Sequence, residues 1–188
     1  MKKKYEQYPD IELINIVLAG KSDENLAFSA LFDRYAVKVK SFCKYMVSDR
    51  AQAEDIFQET FISFYRCIKS GREVTNSCGY LISAARNLSM KYYRDRKVGE
   101  RIDFEIPTVD EQVLHENNEL FELILQALPK LEENYREAYV MREFQGLTFN
   151  EIADICSIPV SSAKSRVYRA QQQIIRILQP YMKDLSKY

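Results

Sequence analysis

The sequence predicts an all-α protein in which an acidic linker joins two small helical domains, the second with a helix-turn-helix. Apolar residues recur three and four positions apart through most of the 188 residues, as they do on the buried face of an α-helix. Between the two halves this spacing fails, a glycine and a proline interrupt the chain, and acidic residues accumulate. We therefore predict a first domain over residues 1–97, a linker over 98–117 and a second domain over 118–188.

The first domain is expected to contain a short leading helix, from Asp10 to Gly20, followed by three longer ones. Ser22 and Asp49 stand at the cap positions of the second and third helices, and Ser70-Gly71 ends the third. A polar loop through Gly79 leads into the fourth helix. The predicted inner faces are Phe28, Leu31, Phe32, Tyr35, Val39, Phe42, Cys43 and Met46 in the second helix, Ala53, Ile56, Phe57, Thr60, Phe61, Phe64, Tyr65 and Ile68 in the third, and Leu81, Ala85, Leu88 and Tyr92 in the fourth.

In the second domain, helical spacing resumes at Phe121 and stops at Gly146. Thr148 then caps a short helix, a turn spans Ser157 to Pro159, and a further helix follows. Short helices that meet at a steep angle need small residues at their crossing and apolar residues in the joint. This pattern predicts a helix-turn-helix, with an ordinary helical hairpin as the alternative. The residues that fit are Ala153 and Ala163 at the crossing, and Ile158, Val160 and Val167 in the joint.

The second helix of this motif presents hydroxyl groups and cations at its start and along one side. Such groups suit phosphate oxygens and base edges in a DNA major groove. The candidate DNA contacts are Ser161, Ser162, Lys164, Ser165, Arg166 and Arg169.

The formal net charge of zero conceals an uneven distribution. Residues 98–128 hold one basic and eight acidic side chains, whereas residues 86–97 hold five basic side chains and one acid. Residues 160–176 hold four basic side chains and no acid. Two basic segments on either side of an acidic connector favour two contacts with a polyanion, although solvated helix faces would carry the same charges.

Several functional classes lack the residues that they need. The four cysteines are scattered without C-x-x-C spacing and are expected to be small buried side chains, and His115 has no second His or nearby Cys to complete a metal set. No glycine-rich phosphate loop is present. No apolar run reaches the roughly 18 residues that cross a bilayer, and no signal-peptide core follows the basic start. The sequence therefore predicts a cytoplasmic binding protein without catalytic residues, metal or cofactor.

Six segments of the chain, three in each half, resemble one family. Over roughly residues 22–185, the chain is similar to bacterial RNA polymerase sigma factors of the small, two-domain extracytoplasmic-function (ECF) type. The segments are 27–35 (AFSALFDRY), 53–61 (AEDIFQETF) and 80–87 (YLISAARN) in the first half, and 128–138 (LP followed by YREA), 146–153 (GLTFNEIA) and 162–170 (SAKSRVYRA) in the second.

A few residues depart from the family pattern. Tyr80 stands where Trp is usual, and Ser157 and Ser162 stand where glycines are frequent. Lys91 stands where an Asp is common, and we expect it to make the DNA-facing helix more basic and so to attract phosphate. These departures bear on the preferred promoter sequence.

A stripe of two carboxylates, an amide and an apolar side chain recurs on the third helix at spacings of 3, 4 and 7. The resemblance implies that this stripe binds the coiled helices of the clamp of the largest polymerase subunit, where acids would meet basic side chains. A solvated helix face is the alternative. The stripe consists of Asp55, Gln58, Glu59 and Ile62.

The polar segment from Ser70 to Gly79 lies where, by resemblance, an unstacked base of the downstream promoter element is captured. An ordinary surface loop is the alternative. Cations and an aromatic residue on the next helix suit the tracking and stacking of a single strand. The candidates are Arg72, Thr75, Asn76 and Ser77 in the loop, and Arg86, Asn87, Met90, Tyr93, Arg94 and Lys97 on the helix.

The resemblance implies a transcription initiation factor that binds core RNA polymerase, directs it to specific promoters and helps to open them. The acidic linker would occupy space that RNA later needs, or would serve only as a solvated spacer. An anti-sigma factor that masks both domains is a further implied partner. The alternatives are a stand-alone helix-turn-helix regulator, which needs a sensor or dimerisation domain, and a helical adaptor that binds no nucleic acid.

Overall fold

The computed structural model describes residues 5–20, 22–96 and 119–185, and the described part is all-α, as predicted. Contacts divide the chain into two compact units, Met1–Cys43 with Ala51–Gly99 and Lys44–Arg50 with Glu100–Tyr188. The proposed linker, His115 and Lys97 lie outside the described residues, so the domain boundaries at 97 and 118 stay a prediction.

The helices are α1 (Asp10–Ala19), α2 (Glu24–Met46), α3 (Arg50–Lys69), α4 (Ser77–Arg96), α5 (Glu119–Ala127), a 3-10 turn (Leu128–Lys130), α6 (Glu133–Tyr139) with a π-helical continuation (Val140–Phe144), α7 (Phe149–Cys156) and α8 (Val160–Leu185).

The segment before α1 is held against α2 by one arginine. Arg34 donates to the carboxylate of Asp10 and to the backbone carbonyls of Glu6 (3.0 Å) and Tyr8 (2.8 Å). The cap predicted at Ser22 is wrong by one residue, because α2 begins at Glu24 and the carbonyl of Asp23 accepts the amide of Ala27 (2.9 Å).

The predicted inner face of α3 is buried except at its last aromatic residue. Tyr65 lies at the edge of the core, where its hydroxyl donates to Glu24 (2.5 Å), and Cys67 is buried instead. Thr60 is fully buried because its hydroxyl donates to the carbonyl of Ile56 (2.7 Å). Aromatic packing fills the space between α2 and α3, with the rings of Phe32 and Phe61 at 4.6 Å.

The buried face of α4 differs from the predicted one. Leu88 and Tyr92 are only partly buried, whereas Ser89 and Tyr93 are buried with Leu81 and Ala85. The line therefore repeats every four residues from position 81 to 93. Ser89 can lie in it because its hydroxyl donates to the carbonyl of Ala85 (2.8 Å), which satisfies the polar group. The prediction used only apolar residues, so it left out Ser89. It therefore placed the later part of the inner face at Leu88 and Tyr92, one residue before the buried positions.

The second unit contains the predicted helix-turn-helix. Thr148 caps α7 through a reciprocal pair of hydrogen bonds with Glu151, and Ala153, Ala163 and Val167 are buried where α7 and α8 meet. Ile158 is half-buried and Val160 is 37% exposed, so the joint is filled by Val167 rather than by all three predicted residues.

All four cysteines are free thiols. Cys43, Cys67 and Cys156 are buried, as predicted, whereas Cys78 is half-buried. Burial raises the pKa of Cys43 to about 12, which keeps that thiol protonated and inert near neutral pH.

The turn between α7 and α8 contains a strained residue. Ser157 adopts the left-handed conformation (φ 54°, ψ 48°) and is the only described residue other than glycine with a positive φ. The left-handed conformation is unfavourable by roughly 1 to 2 kcal/mol for a residue with a Cβ, whereas glycine adopts it without this strain.

We expect Ser157→Gly to raise the free energy of unfolding by about 1 kcal/mol, because removal of the Cβ relieves this strain. Urea denaturation measures the change. Ser162→Gly is the matched control, because Ser162 lies in the first turn of α8, where glycine lowers helix stability by up to roughly 1 kcal/mol. A Ser157→Gly variant no more stable than the wild type would contradict the assignment of strain.

Candidate polymerase and nucleic-acid interfaces

The four residues of the stripe lie together on the outer side of α3. Asp55, Gln58 and Glu59 are exposed, and Ile62 remains 43% exposed although it is apolar. Burial of Phe57 and its neighbours on the opposite face turns these side chains to solvent. The stripe therefore offers a partner two carboxylates and an amide, with an apolar side chain at its C-terminal end.

Two residues of the stripe, Asp55 and Glu59, line one wall of a shallow groove of ≈ 400 Å³, whose other wall is the C-terminal half of α4. Gln58 and Ile62 do not line this groove. This groove was not predicted, because helical spacing describes each helix alone. Lys91 lines it beside Asp55 and Glu59, and its expected attraction for phosphate stays a prediction. The lining residues are Gln52, Asp55, Ile56, Glu59, Leu88, Lys91, Tyr92 and Asp95.

The candidate base-reading loop is shorter than predicted, because α4 begins at Ser77. Arg72 and Thr75 are exposed and available to a ligand. Asn76 caps α4, since its side-chain oxygen accepts the amide of Gly79 (2.8 Å). Ser77 is only 3% exposed, and in this conformation it cannot reach a base. Three of the four candidates are therefore exposed, and one of these three, Asn76, is engaged in the cap.

The outer side of α4 presents most of the predicted strand-tracking residues. Asn87 and Arg94 are exposed, and Arg86 and Met90 are partly exposed. Tyr93 is 5% exposed and belongs to the core, so its predicted role in base stacking is wrong for this conformation. Because the buried line passes through Tyr93, the tracking face and the groove lie on opposite flanks of α4.

The start of α8 presents five of its six candidates to solvent. They are Ser161, Lys164, Ser165 and Arg169, which are exposed, and Ser162, which is partly exposed. Arg166 instead lies beside the core and pairs with the buried carboxylate of Glu137 (Nη1 to Oε1, 3.3 Å).

Two family models match the chain, one in each half. The model described as "Sigma-70 region 2" matches residues 31–98, and the model described as "Sigma-70, region 4" matches residues 121–174. The first contains the α3 stripe and α4, and the second contains the helix-turn-helix. The chain belongs to the sigma-70 family.

This sigma factor is similar to curated proteins over nearly its whole length. It is 29% identical to the "ECF RNA polymerase sigma-E factor" of Haemophilus influenzae, across 94% of the chain and 99% of that protein. It is 27% identical to the "RNA polymerase sigma-H factor" of Pseudomonas aeruginosa, across 95% of the chain and 98% of that protein. The predicted class, an ECF sigma factor, is confirmed.

Solved structures share the fold of this sigma factor. One is the sigma factor RpoE of Bartonella quintana, crystallised with the anti-sigma factor NepR, with a TM-score of 0.64 at 24% identity over 81% of this chain and 96% of that one. Another is CnrH in complex with the cytosolic domain of CnrY, with a TM-score of 0.68 at 18% identity over 91% of this chain and 97% of that one.

As an ECF sigma factor, the protein is a transcription initiation factor that acts with core RNA polymerase at promoters, as predicted. The alternative of a stand-alone regulator has no support, because the first half matches sigma region 2. Within the described ranges, the side chains form no cluster that could hold a metal ion. None of the described helices is both long and apolar enough to cross a membrane.

Two features at the start of α8 were not predicted from the sequence. Tyr168 is 63% exposed on α8, three and four residues from Ser165 and Lys164, and the pattern of hydroxyls and cations did not indicate it. Phe149 lies against two cations, with Arg142 at 4.6 Å and Lys164 at 5.8 Å from its ring centre. Only the tertiary structure brings Arg142 next to the start of α8.

Proposed function

We propose that this ECF sigma factor docks on core RNA polymerase through the α3–α4 groove and reads an upstream duplex element with α8. It captures an unpaired base with the loop before α4 and tracks the single strand with the outer side of α4. One observation carries the proposal. The acidic stripe of α3 and the hydroxyl and cation face of α8 are both exposed, although each lies on a helix whose opposite face is buried. An exposed charged face of this kind is available to a partner.

Charge favours a basic partner for the groove. Asp55, Glu59 and Asp95 outnumber Lys91 among its charged residues, and Leu88 and Ile56 supply apolar surface between them. A helix with a basic edge and an apolar ridge fits this arrangement, and the sigma resemblance assigns that helix to the polymerase clamp. Exposed charges of this kind govern mainly the association rate and its salt dependence.

We expect Asp55→Ala/Glu59→Ala to weaken binding to core polymerase by roughly tenfold (about 1.4 kcal/mol), because two of the charges that attract the partner are lost. Lys91→Ala should have the opposite sign and strengthen binding, since it removes the groove's own cation. Surface plasmon resonance at two salt concentrations measures both effects.

Glu6→Ala/Glu12→Ala is the matched control for this pair. Both residues are exposed in the first unit and neither lines the groove, yet the change in net charge is the same. An equal loss of affinity in the control would show that net charge, and not the groove, determines polymerase binding.

For promoter opening, Arg72 and Thr75 are the loop residues to test. Asn76→Ala would remove a helix cap, at a cost of about 1 kcal/mol, and Ser77 is buried, so both would confound the assay. Capture of a base requires that the base first leave the duplex, and exposed side chains at the start of α4 could then hold it.

We expect Arg72→Ala/Thr75→Ala to reduce promoter opening while leaving formation of the closed complex intact, because the loop contacts only unstacked bases. Permanganate footprinting measures opening, and a gel shift measures the closed complex. Lys38→Ala serves as control, since Lys38 is an exposed cation on α2. A double variant that opens promoters normally would place the base pocket elsewhere.

The exposed face of α8 suits a major groove. Ser161, Ser165 and Arg169 lie on one side of the helix with Tyr168 between them, so hydroxyl, guanidinium and aromatic groups meet the same surface. Arg169 is held by Tyr135, whose hydroxyl accepts from its Nη1 (3.0 Å). Hydroxyls and cations contact phosphates and base edges, and an aromatic ring can pack on a thymine methyl group.

Arg169→Ala should weaken binding to the upstream element by about 1 to 3 kcal/mol if the guanidinium reads a base, and the loss should then depend on sequence. If it contacts phosphate, the loss should be independent of sequence and the salt dependence shallower. Fluorescence anisotropy over a salt series separates the two. Lys130→Ala removes an exposed cation of the same unit and should change neither the affinity nor its salt dependence. Unaltered binding by Arg169→Ala would exclude this face of α8 as the DNA contact.

The remaining parts of the proposal follow from the resemblance. Residues 98–117, with their acidic side chains, would occupy the path of the nascent RNA, and an anti-sigma factor would mask the two units until a signal releases it. The proposed activity is recruitment and promoter opening without catalysis or a cofactor, and it takes place in the cytoplasm, where the polymerase works.

A further inference from the structure

A carboxylate is buried in the centre of the second unit. Glu137, on α6, has no solvent-exposed surface. Two donors from other helices reach the same oxygen, Oε1, namely Nη1 of Arg166 and Sγ of Cys156, each at 3.3 Å. Removal of a carboxylate from water is strongly unfavourable unless donors and a counter-charge replace the lost hydration. Arg166 supplies that counter-charge.

These donors connect the three helices of the DNA-binding motif. Cys156 is the last residue of α7, Arg166 lies in the second turn of α8, and Glu137 belongs to α6. The side chain of Arg166 is 24% exposed, and the residue that follows, Val167, is buried. Arg166 therefore lies at the edge of the packed face of α8, whereas Ser165 and Arg169 lie on the solvent side.

We propose that Arg166 is a positioning residue: its ion pair with Glu137 sets the rotation of α8 against α6, and Arg166 affects DNA recognition through Glu137 rather than by contacting DNA. The proposal rests on the proposed function of α8 in reading duplex DNA. A reading helix must hold its side chains within about 0.5 Å of the productive geometry. A buried ion pair provides this because it is directional, whereas the apolar contacts of Ala163 and Val167 are not.

The Glu137→Gln substitution distinguishes a positioning role of Arg166 from a direct phosphate contact, because the two roles predict opposite changes in DNA affinity. If Arg166 binds DNA, neutral Glu137→Gln removes a negative charge near the DNA and releases the guanidinium, so affinity rises or stays the same. If Arg166 positions α8, Glu137→Gln breaks the pair and affinity falls even though the net charge becomes more positive. Loss of Arg166 should then have little further effect, because no buried charge remains to be compensated.

The test uses full-length protein and four forms: wild type, Glu137→Gln, Arg166→Met and the double variant. The probes are a duplex selected by the wild-type chain from a random library and a scrambled duplex of the same length. Anisotropy gives the ratio of the two affinities, and circular dichroism confirms that each form is folded at the temperature used. Arg169→Met, alone and with Glu137→Gln, is the matched control for a cation on the exposed face.

We expect Glu137→Gln to lower the affinity for the selected duplex at least threefold, and the double variant to equal it within about twofold. Arg169→Met should lower the affinity for the selected duplex by the same factor in the wild type and in Glu137→Gln. Two results would overturn the proposal and assign Arg166 to the DNA. One is a Glu137→Gln variant that binds the selected duplex as well as the wild type does. The other is an Arg166→Met substitution that lowers the affinity by the same factor with Glu or with Gln at position 137. If Arg166→Met alone does not fold, the comparison of Glu137→Gln with the double variant still decides.

Failure of the proposed function would look different. In that case the wild-type chain would select no duplex at all, while urea unfolding of the four forms would still report the coupling between Glu137 and Arg166. Independent effects of the two substitutions on unfolding would overturn the positioning role without reference to DNA.

Discussion

Burial of one apolar face on each helix is the constraint on which every proposed contact depends. In α3, burial of Phe57 and Phe61 turns Asp55 and Glu59 to solvent. In α8, a buried line that includes Ala163 and Val167 leaves Ser165 and Arg169 outside. The buried apolar side chains therefore position the candidate contact residues without contacting a partner themselves. A substitution that rotates a helix would move all of the contact residues on that helix together.

The two flanks of α4 have different electrostatic surroundings. Lys91 lines the groove beside the carboxylates of α3, whereas Asn87 and Arg94, each one turn away from Lys91 on the helix surface, do not line it. One helix thus serves both proposed contacts of the first unit, polymerase on one flank and the single strand on the other. A lysine at position 91 reduces the negative charge of the groove and so weakens its attraction for a basic partner.

The helix-turn-helix combines local and long-range devices. Thr148 and Glu151 cap α7 through residues three positions apart, and Ser157 makes the sharp turn at some cost in strain. Glu137 and Arg166, by contrast, are 29 positions apart and join α6 to α8.

The sequence by itself determined the all-α class, the stripe of α3, the cap at Thr148 and the exposed cations of α8, because each follows from spacing within a few residues. Only the tertiary structure decided that Ser89 and Tyr93 are buried, that Lys91 faces the α3 groove and that Arg166 turns inward to Glu137. The physical reason is that a polar side chain is buried or exposed according to its hydrogen-bond partner. For Arg166 that partner lies on another helix, so periodicity along α8 carries no information about it, whereas the hydroxyl of Ser89 donates to Ala85 within its own helix.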